Sequence, residues 1–182
     1  MNSICVYTGA SLNIPDEYHH EADKVGRIIA ATGYQLVYGG GNTGLMGTVS
    51  SAVMSHGGRV LGVTTKQLAE VEHVNTAISE IRIVENMHLR KNMMFEHSNL
   101  FLILPGGYGT LDEFFEIVTW KQLQIHKSPI LIYNYKQYWE PLKALFEAMK
   151  KEGFIKQHHI DMLTFINNSA ELLTLLQNYK VA

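Results

Sequence analysis

Residues 104–116, LPGGYGTLDEFFE, place Gly106, Gly107 and Gly109 directly ahead of Asp112, Glu113 and Glu116. Glycine lets a ligand reach the backbone without meeting a Cβ. A helix that opens just beyond such a turn offers free amides and a partial positive charge, the chemistry that holds a phosphate. Residues 38–47, YGGGNTGLMG, repeat the arrangement, with Gly39, Gly40 and Gly41 leading to a helix start near Gly44. Neither turn is a P-loop, since the Gly-Lys-Ser/Thr ending is missing, and neither has the dinucleotide G-x-G-x-x-G spacing. One glycine turn alone says little. Two of them at strand ends of one sheet favour an anion site.

The acids admit two accounts. With Thr110 as N-cap, Glu113 falls at the third helical position and TLDE reads as a capping box. Asp112 and Glu116 then sit where the helix dipole favours negative charge. In the other account Glu113 is a free carboxylate facing a ligand. Leu111, Phe114, Phe115 and Val118 follow the i, i+3, i+4, i+7 spacing of a buried helical face. Those aromatics read as core and not as a stacking platform.

A second constellation is ENMHLRKNMMFEH, residues 85–97, where Met87, Met93 and Met94 share one helical arc with Arg90. A guanidinium amid apolar side chains must find an acid, reach solvent or hold a ligand. Glu85 and Glu113 are the candidate acids, and Lys91, on the other edge of the arc, reads as solvated. The nine histidines include the adjacent pairs His19-His20 and His158-His159 but no H-x-x-x-H or H-E-x-x-H spacing. No metal and no cofactor is expected.

The elements that must position these residues alternate along the chain. Apolar, β-branched runs at 3–9, 34–40, 59–65, 80–84, 99–107 and 129–134 read as strands. Helical patterns lie between them at 15–31, 44–56, 86–98, 110–124 and 138–152, followed by a last strand at 162–166 and a helix at 169–177. Several strands are apolar on both faces, as strands covered by helices on each side must be. The pattern predicts an α/β, Rossmann-like doubly wound fold with a mainly parallel sheet flanked by helices, one domain over residues 1–182. Ligands in such sheets sit beyond the carboxyl ends of the strands. Four predicted strands end there in YTGAS, YGGGNTG, VTTKQ and LPGGYGT.

Composition narrows the function class. Of the 182 residues 46% are hydrophobic and 18% charged, and the formal net charge is −2 with no long basic run. That argues against nucleic-acid and membrane-surface partners, which need a concentrated positive face. Cys5 is the only cysteine, so no intrachain disulfide forms, and a buried thiol suits a reducing cytoplasm. The N-terminus MNSICVYTGA lacks the charged start of a signal peptide, and the longest apolar run, Leu100 to Leu104, is too short to span a membrane.

At this point the motifs carry a resemblance. MHLRK (87–91) followed by PGGYGTLDE (105–113) resembles the LONELY GUY family of cytokinin riboside 5′-monophosphate phosphoribohydrolases, marked by M-H-x-R-K and P-G-G-x-G-T-x-x-E. VYGGGNTGLMG (37–47) looks like the family's second glycine turn, and the likeness runs over roughly residues 3 to 177. The resemblance implies hydrolysis of the N-glycosidic bond of a nucleoside 5′-monophosphate, AMP or an N6-modified AMP, and at least a homodimer. It implies Arg90 and Glu113 as the catalytic pair. It further implies nucleotide contacts from Lys91, Gly106, Gly107, Tyr108, Gly109, Thr110, Asp112 and Thr119. Glu72 matches a further substrate carboxylate, and Gly9, Gly40 and Gly41 complete the set at the other strand ends.

Members of the family have carried the label possible lysine decarboxylase, which nothing in this sequence supports: no lysine sits in a recognisable pyridoxal phosphate setting. Two departures stand out. TGAS (8–11) replaces the family's usual G-S-S, so Ala10 removes a hydroxyl, and GVTT (62–65) replaces a usual V-I-P. In the implied chemistry the ribose becomes an oxocarbenium ion as the base departs, and a carboxylate beside it stabilises the cation and polarises a water. Arg90, permanently charged, orients that carboxylate or holds substrate oxygens. A non-catalytic nucleotide carrier using the same turns is the rival reading.

Overall fold

The computed structural model describes residues 2–71 and 74–179. Seven strands form one sheet: β1 (Ser3–Tyr7), β2 (Gln35–Tyr38), β3 (Val60–Thr65), β4 (Glu80–Val84), β5 (Leu100–Ile103), β6 (Ile130–Tyr133) and β7 (Leu163–Ile166). Their spatial order is β4-β3-β2-β1-β5-β6-β7, and every pairing is parallel. The helices are α1 (Asp16–Ala31), α2 (Gly44–Ser55), α3 (Lys66–Val71), α4 (Met87–Glu96), α5 (Tyr108–Gln122), α6 (Glu140–Lys151), α7 (Gln157–Ile160) and α8 (Ser169–Asn178).

The two-sided strands create two cores. Ile4 and Val6 of β1, Leu36 of β2 and Leu100 and Leu102 of β5 pack with Val25 and Ile29 of α1, Val49 and Val53 of α2 and Leu172 of α8. The intervening residues Cys5, Tyr7, Val37, Phe101 and Ile103 pack on the opposite face with Met94 of α4, Phe114 and Ile117 of α5 and Phe146 of α6. Residues alternate between faces because a strand's side-chain period is two. Complete burial of a side chain such as Phe114 contributes roughly 2–3 kcal/mol. The predicted Rossmann-like architecture is therefore the observed one.

The strand order reverses between β1 and β5, since β1 leads outward to β2 and β5 leads the other way to β6. The turns beyond these strands lock together. Leu104 N donates to Tyr7 O at 3.0 Å, Gly9 N to Pro105 O at 3.2 Å and the Thr8 hydroxyl to Pro105 O at 3.1 Å.

Local features differ from the sequence reading, among them the short helix α7 (Gln157–Ile160), where no helix was expected. The helix expected at 110 starts at Tyr108 with Gly107 as its N-cap, so Thr110 is the third helical residue and Glu113 lies in the second turn. The capping box is not formed: Thr110 is buried with its hydroxyl packed on Gly106, and no side chain caps this helix. Helix α3 is an addition, and Thr65 caps it by accepting a bond from Leu68 N at 3.1 Å. The helix expected from Tyr138 begins at Glu140, and a 3-10 turn over Tyr135–Gln137, which was not expected, precedes it.

Candidate active site

A cavity of about 810 Å³ opens at the switch point between β1 and β5. One end is polar and backbone-rich, built from Thr8 and Gly9 after β1, from Gly106, Gly107, Gly109 and Thr110 after β5, and from Arg90 and Glu113. The remaining wall is apolar, with Ile14, Leu45, Met46, Leu68 and Met87, and it carries two phenols, Tyr18 and Tyr138.

The glycines of the β5 turn serve two different ends. A Cβ on Gly106 would lie 2.0 Å from Thr110 Oγ1 and 2.9 Å from Gly9 N, so packing alone demands glycine there. A Cβ on Gly107 or Gly109 would meet nothing within 4 Å, and neither residue has a positive φ. Neither fold nor backbone conformation requires those two glycines, yet both line the cavity. The space they leave lies beside the uncapped first turn of α5, where amide donors and the positive end of the helix dipole face outward.

Arg90 enters from α4, whose start is capped by Asn86 accepting a bond from Leu89 N at 2.9 Å. Its side chain is buried and bonded on three sides. Nε donates to Val63 O of β3 at 3.0 Å, Nη2 donates to Gly39 O at 3.3 Å, and Nη1 lies 3.4 Å from Glu113 Oε1. Of the two candidate acids, Glu113 is thus the one it meets. A Cβ on Gly39 would come within 2.2 Å of Arg90 Nη2, so the bare Cα of Gly39 makes room for the guanidinium.

Glu113 is buried on α5 behind this arginine. Burial pushes its carboxyl from an ordinary 4.5 up to about 7, with Arg90 pulling the other way. Near neutral pH the group therefore samples both its protonated and its ionised form, as a group that must both take and give a proton needs to.

The other sequence-derived candidates lie around this centre. Lys91 is not merely solvated: Nζ pairs with Asp112 Oδ2 at 3.1 Å and Glu116 Oε1 at 3.2 Å, tying α4 to α5 just behind Arg90 and Glu113. Thr119 is exposed and its hydroxyl donates to Phe115 O at 2.7 Å. Tyr108 is 94% exposed at the start of α5. Gly40, with φ +80°, accepts a bond from Asn75 N at 2.9 Å, and Gly41 bridges to Val74. Lys91, Tyr108, Asp112, Thr119, Gly40 and Gly41 thus stand outside the cavity lining, whereas Gly9, Arg90, Gly106, Gly107, Gly109, Thr110 and Glu113 converge on it. Glu72 falls outside the described residues. Sequence reasoning missed Tyr18 and Tyr138. The available signal for Tyr138 was its place just after the carboxyl end of β6, where ligand-binding turns belong.

Among the described residues no group of three His, Cys, Asp or Glu is arranged to hold a metal ion. No helix among them is long and apolar enough to cross a membrane.

Fold and cavity together define a Rossmann-like α/β protein with a ligand cleft at the switch point of its sheet. Residues 46–176 match the family described as "Possible lysine decarboxylase". The chain belongs to that family, and to the branch that holds the LONELY GUY phosphoribohydrolases. It is 39% identical to a probable cytokinin riboside 5′-monophosphate phosphoribohydrolase, LOGL1, of Oryza sativa subsp. japonica, over 97% of this chain and 79% of the relative. It is 38% identical to the Arabidopsis thaliana cytokinin riboside 5′-monophosphate phosphoribohydrolase LOG3, over 97% of this chain and 82% of the relative. Solved structures share the fold at lower identity. The molybdenum cofactor carrier protein of Chlamydomonas reinhardtii superposes with a TM-score of 0.74 at 17% identity, covering 97% of this chain and 96% of that one. The molybdenum cofactor binding protein of Rippkaea orientalis gives 0.72 at 18% identity, with 97% and 96% covered.

Proposed function

We infer that this protein is a phosphoribohydrolase that splits the N-glycosidic bond of a nucleoside 5′-monophosphate, AMP or an N6-modified AMP of the cytokinin type, to free base and ribose 5-phosphate. The observation that carries the reading is the buried Arg90–Glu113 contact of 3.4 Å set beside the open amides that begin α5. The phosphate sits over Gly107 and Gly109, with Gly9, Gly106 and Thr110 around it. The apolar wall receives the base, and the sugar lies between, against Glu113.

Hydrolysis then runs through one carboxylate. As the C1′–N bond breaks, ionised Glu113 faces the developing oxocarbenium ion and draws a proton from the attacking water. Oxygen bonds to C1′, the bond electrons leave with the base, and the proton held on Glu113 passes to the departing nitrogen. Arg90 fixes the carboxylate through its contact and cannot itself give up a proton. Lys91, paired with Asp112 and Glu116, braces the two helices that present the pair. Tyr108 and Thr119, both exposed on α5, and Glu72 complete the substrate-contacting set when the chain assembles as a cytoplasmic homodimer of single-domain subunits. Gly40 and Gly41, buried and bonded to Asn75 and Val74, instead support the β2 turn from behind.

Incubation with AMP and with adenosine, with adenine detected by chromatography, tests the reading. AMP is cleaved far faster if the phosphate anchors the substrate. Equal rates on the two remove the phosphate from the account, and tight AMP binding without turnover makes the protein a carrier.

A further inference from the structure

The turn after β6 leads directly into the cavity-lining Tyr138 and carries two residues in left-handed backbone. Lys136 and Gln137 both adopt left-handed backbone, with φ of 52° and 61°. Side-chain-bearing residues keep that conformation only where their surroundings hold it, and such sites cluster at ligand clamps. Here Asn134 holds it: its Oδ1 accepts from Trp139 N at 2.8 Å and its carbonyl accepts from Gln137 N at 3.0 Å. The buried Trp139 ring anchors the far side, and Lys136 pairs with Glu17 of α1.

The product of this arrangement is the placement of Tyr138. Its ring stands edge-on to Tyr18 with centroids 6.1 Å apart, and its hydroxyl donates to Gly106 O at 2.8 Å. The preceding carbonyl, Pro105 O, is already engaged by the Thr8 hydroxyl and Gly9 N. Both carbonyls ahead of the α5 start are therefore bonded. In a trans peptide the carbonyl and the following N–H point in opposite directions, so engaging these oxygens also fixes the amides of Gly106 and Gly107. The Gly106–Gly107 peptide has no side chain of its own to resist rotation. The Tyr138 hydroxyl supplies that restraint.

We propose that Tyr138 is a positioning residue for phosphate selectivity: it holds the Gly106–Gly107 peptide with its carbonyl occupied, so that an incoming phosphate meets amide donors and not a carbonyl oxygen. The inference rests on the reading of this turn as the phosphate seat. Tyr138→Phe keeps the ring contacts with Tyr18 and removes only the hydroxyl. Titration calorimetry with ribose 5-phosphate and with adenine as separate probes distinguishes the outcomes. The variant is expected to bind ribose 5-phosphate roughly 5- to 10-fold more weakly, the scale of one hydrogen bond, with adenine affinity and melting unchanged. Unaltered ribose 5-phosphate affinity overturns the role of Tyr138 and leaves the phosphate seat standing. Equal weakening for both probes also overturns it, because the loss is then a general loosening of the cavity. If the wild-type protein itself fails to bind ribose 5-phosphate, the phosphate seat and the role of Tyr138 fall together.

Discussion

Arg90 lies so close on Gly39 that its Nη2 occupies the space within 2.2 Å of where a Cβ would be. The same nitrogen donates to the Gly39 carbonyl at 3.3 Å, so one residue provides both the seat and one of the bonds that aim the guanidinium at Glu113.

Gly39→Ala is therefore expected to displace Arg90 before it disturbs anything else. Overpacking of this kind costs typically 1–3 kcal/mol, so the variant folds with a lowered Tm. With Arg90 moved, its pull on the Glu113 carboxyl weakens, and the pKa seen in kcat/KM rises above the wild-type value. A pH–rate profile that stays in place while the Tm falls would show that Gly39 serves the fold and not the pair.

Gly109→Ala separates stability from ligand binding. Nothing lies within 4 Å of the added Cβ and the residue is inside α5. Alanine favours a helix over glycine by about 0.5–1 kcal/mol. The variant is expected to melt slightly higher while its KM for AMP rises, because the methyl fills space left for the phosphate. A variant that gains stability and keeps its KM would place the phosphate elsewhere.

Much of this was legible in the sequence, and the reasons for the misses are physical. The two-sided apolar strands were readable because Ile4 and Cys5, or Leu100 and Phe101, need only their neighbours to declare a buried sheet. The convergence of Gly9, Arg90, Gly106 and Glu113 followed from strand ends and from motif resemblance. The role of Gly39 did not, because its partner Arg90 is 51 residues away and only packing brings them together. The capping box over 110–113 is not formed because the helix starts two residues earlier, at Tyr108, and Thr110 is buried against Gly106. Gly106 itself packs on Gly9 of the turn after β1, a contact no local pattern announces. The left-handed turn before Tyr138 has neither glycine nor asparagine at the positions that adopt it, so composition gave no sign of it.

Stability should depend on pH through Glu113, with a definite sign. The carboxyl titrates at about 7 when folded against an ordinary 4.5. Between those values the folded protein keeps a proton that the unfolded chain has lost, so stability falls as pH rises through that window. Above it the full cost of ionising the buried acid, about 3 kcal/mol, is present. Glu113→Gln mimics the protonated acid and escapes this cost. Calorimetric melting is expected to show the variant several degrees more stable than wild type at pH 8, with the gap closing by pH 4.5. A gap that does not vary with pH would remove Glu113 as the titrating group.

The most direct test of the central claim is single-turnover cleavage of AMP by Glu113→Gln, with Asp112→Asn as the companion variant. Asp112 is exposed on the same helix and bonded to Lys91, so its loss alters the local charge without touching the cavity. Glu113→Gln is predicted to bind ribose 5-phosphate as wild type does and to release adenine at least about 100-fold more slowly, the scale of losing a positioned acid–base group. Asp112→Asn is predicted to stay within a few-fold of wild type. Release of adenine by Glu113→Gln at the wild-type rate, or equal losses in the two variants, would contradict the assignment of the chemistry to Glu113.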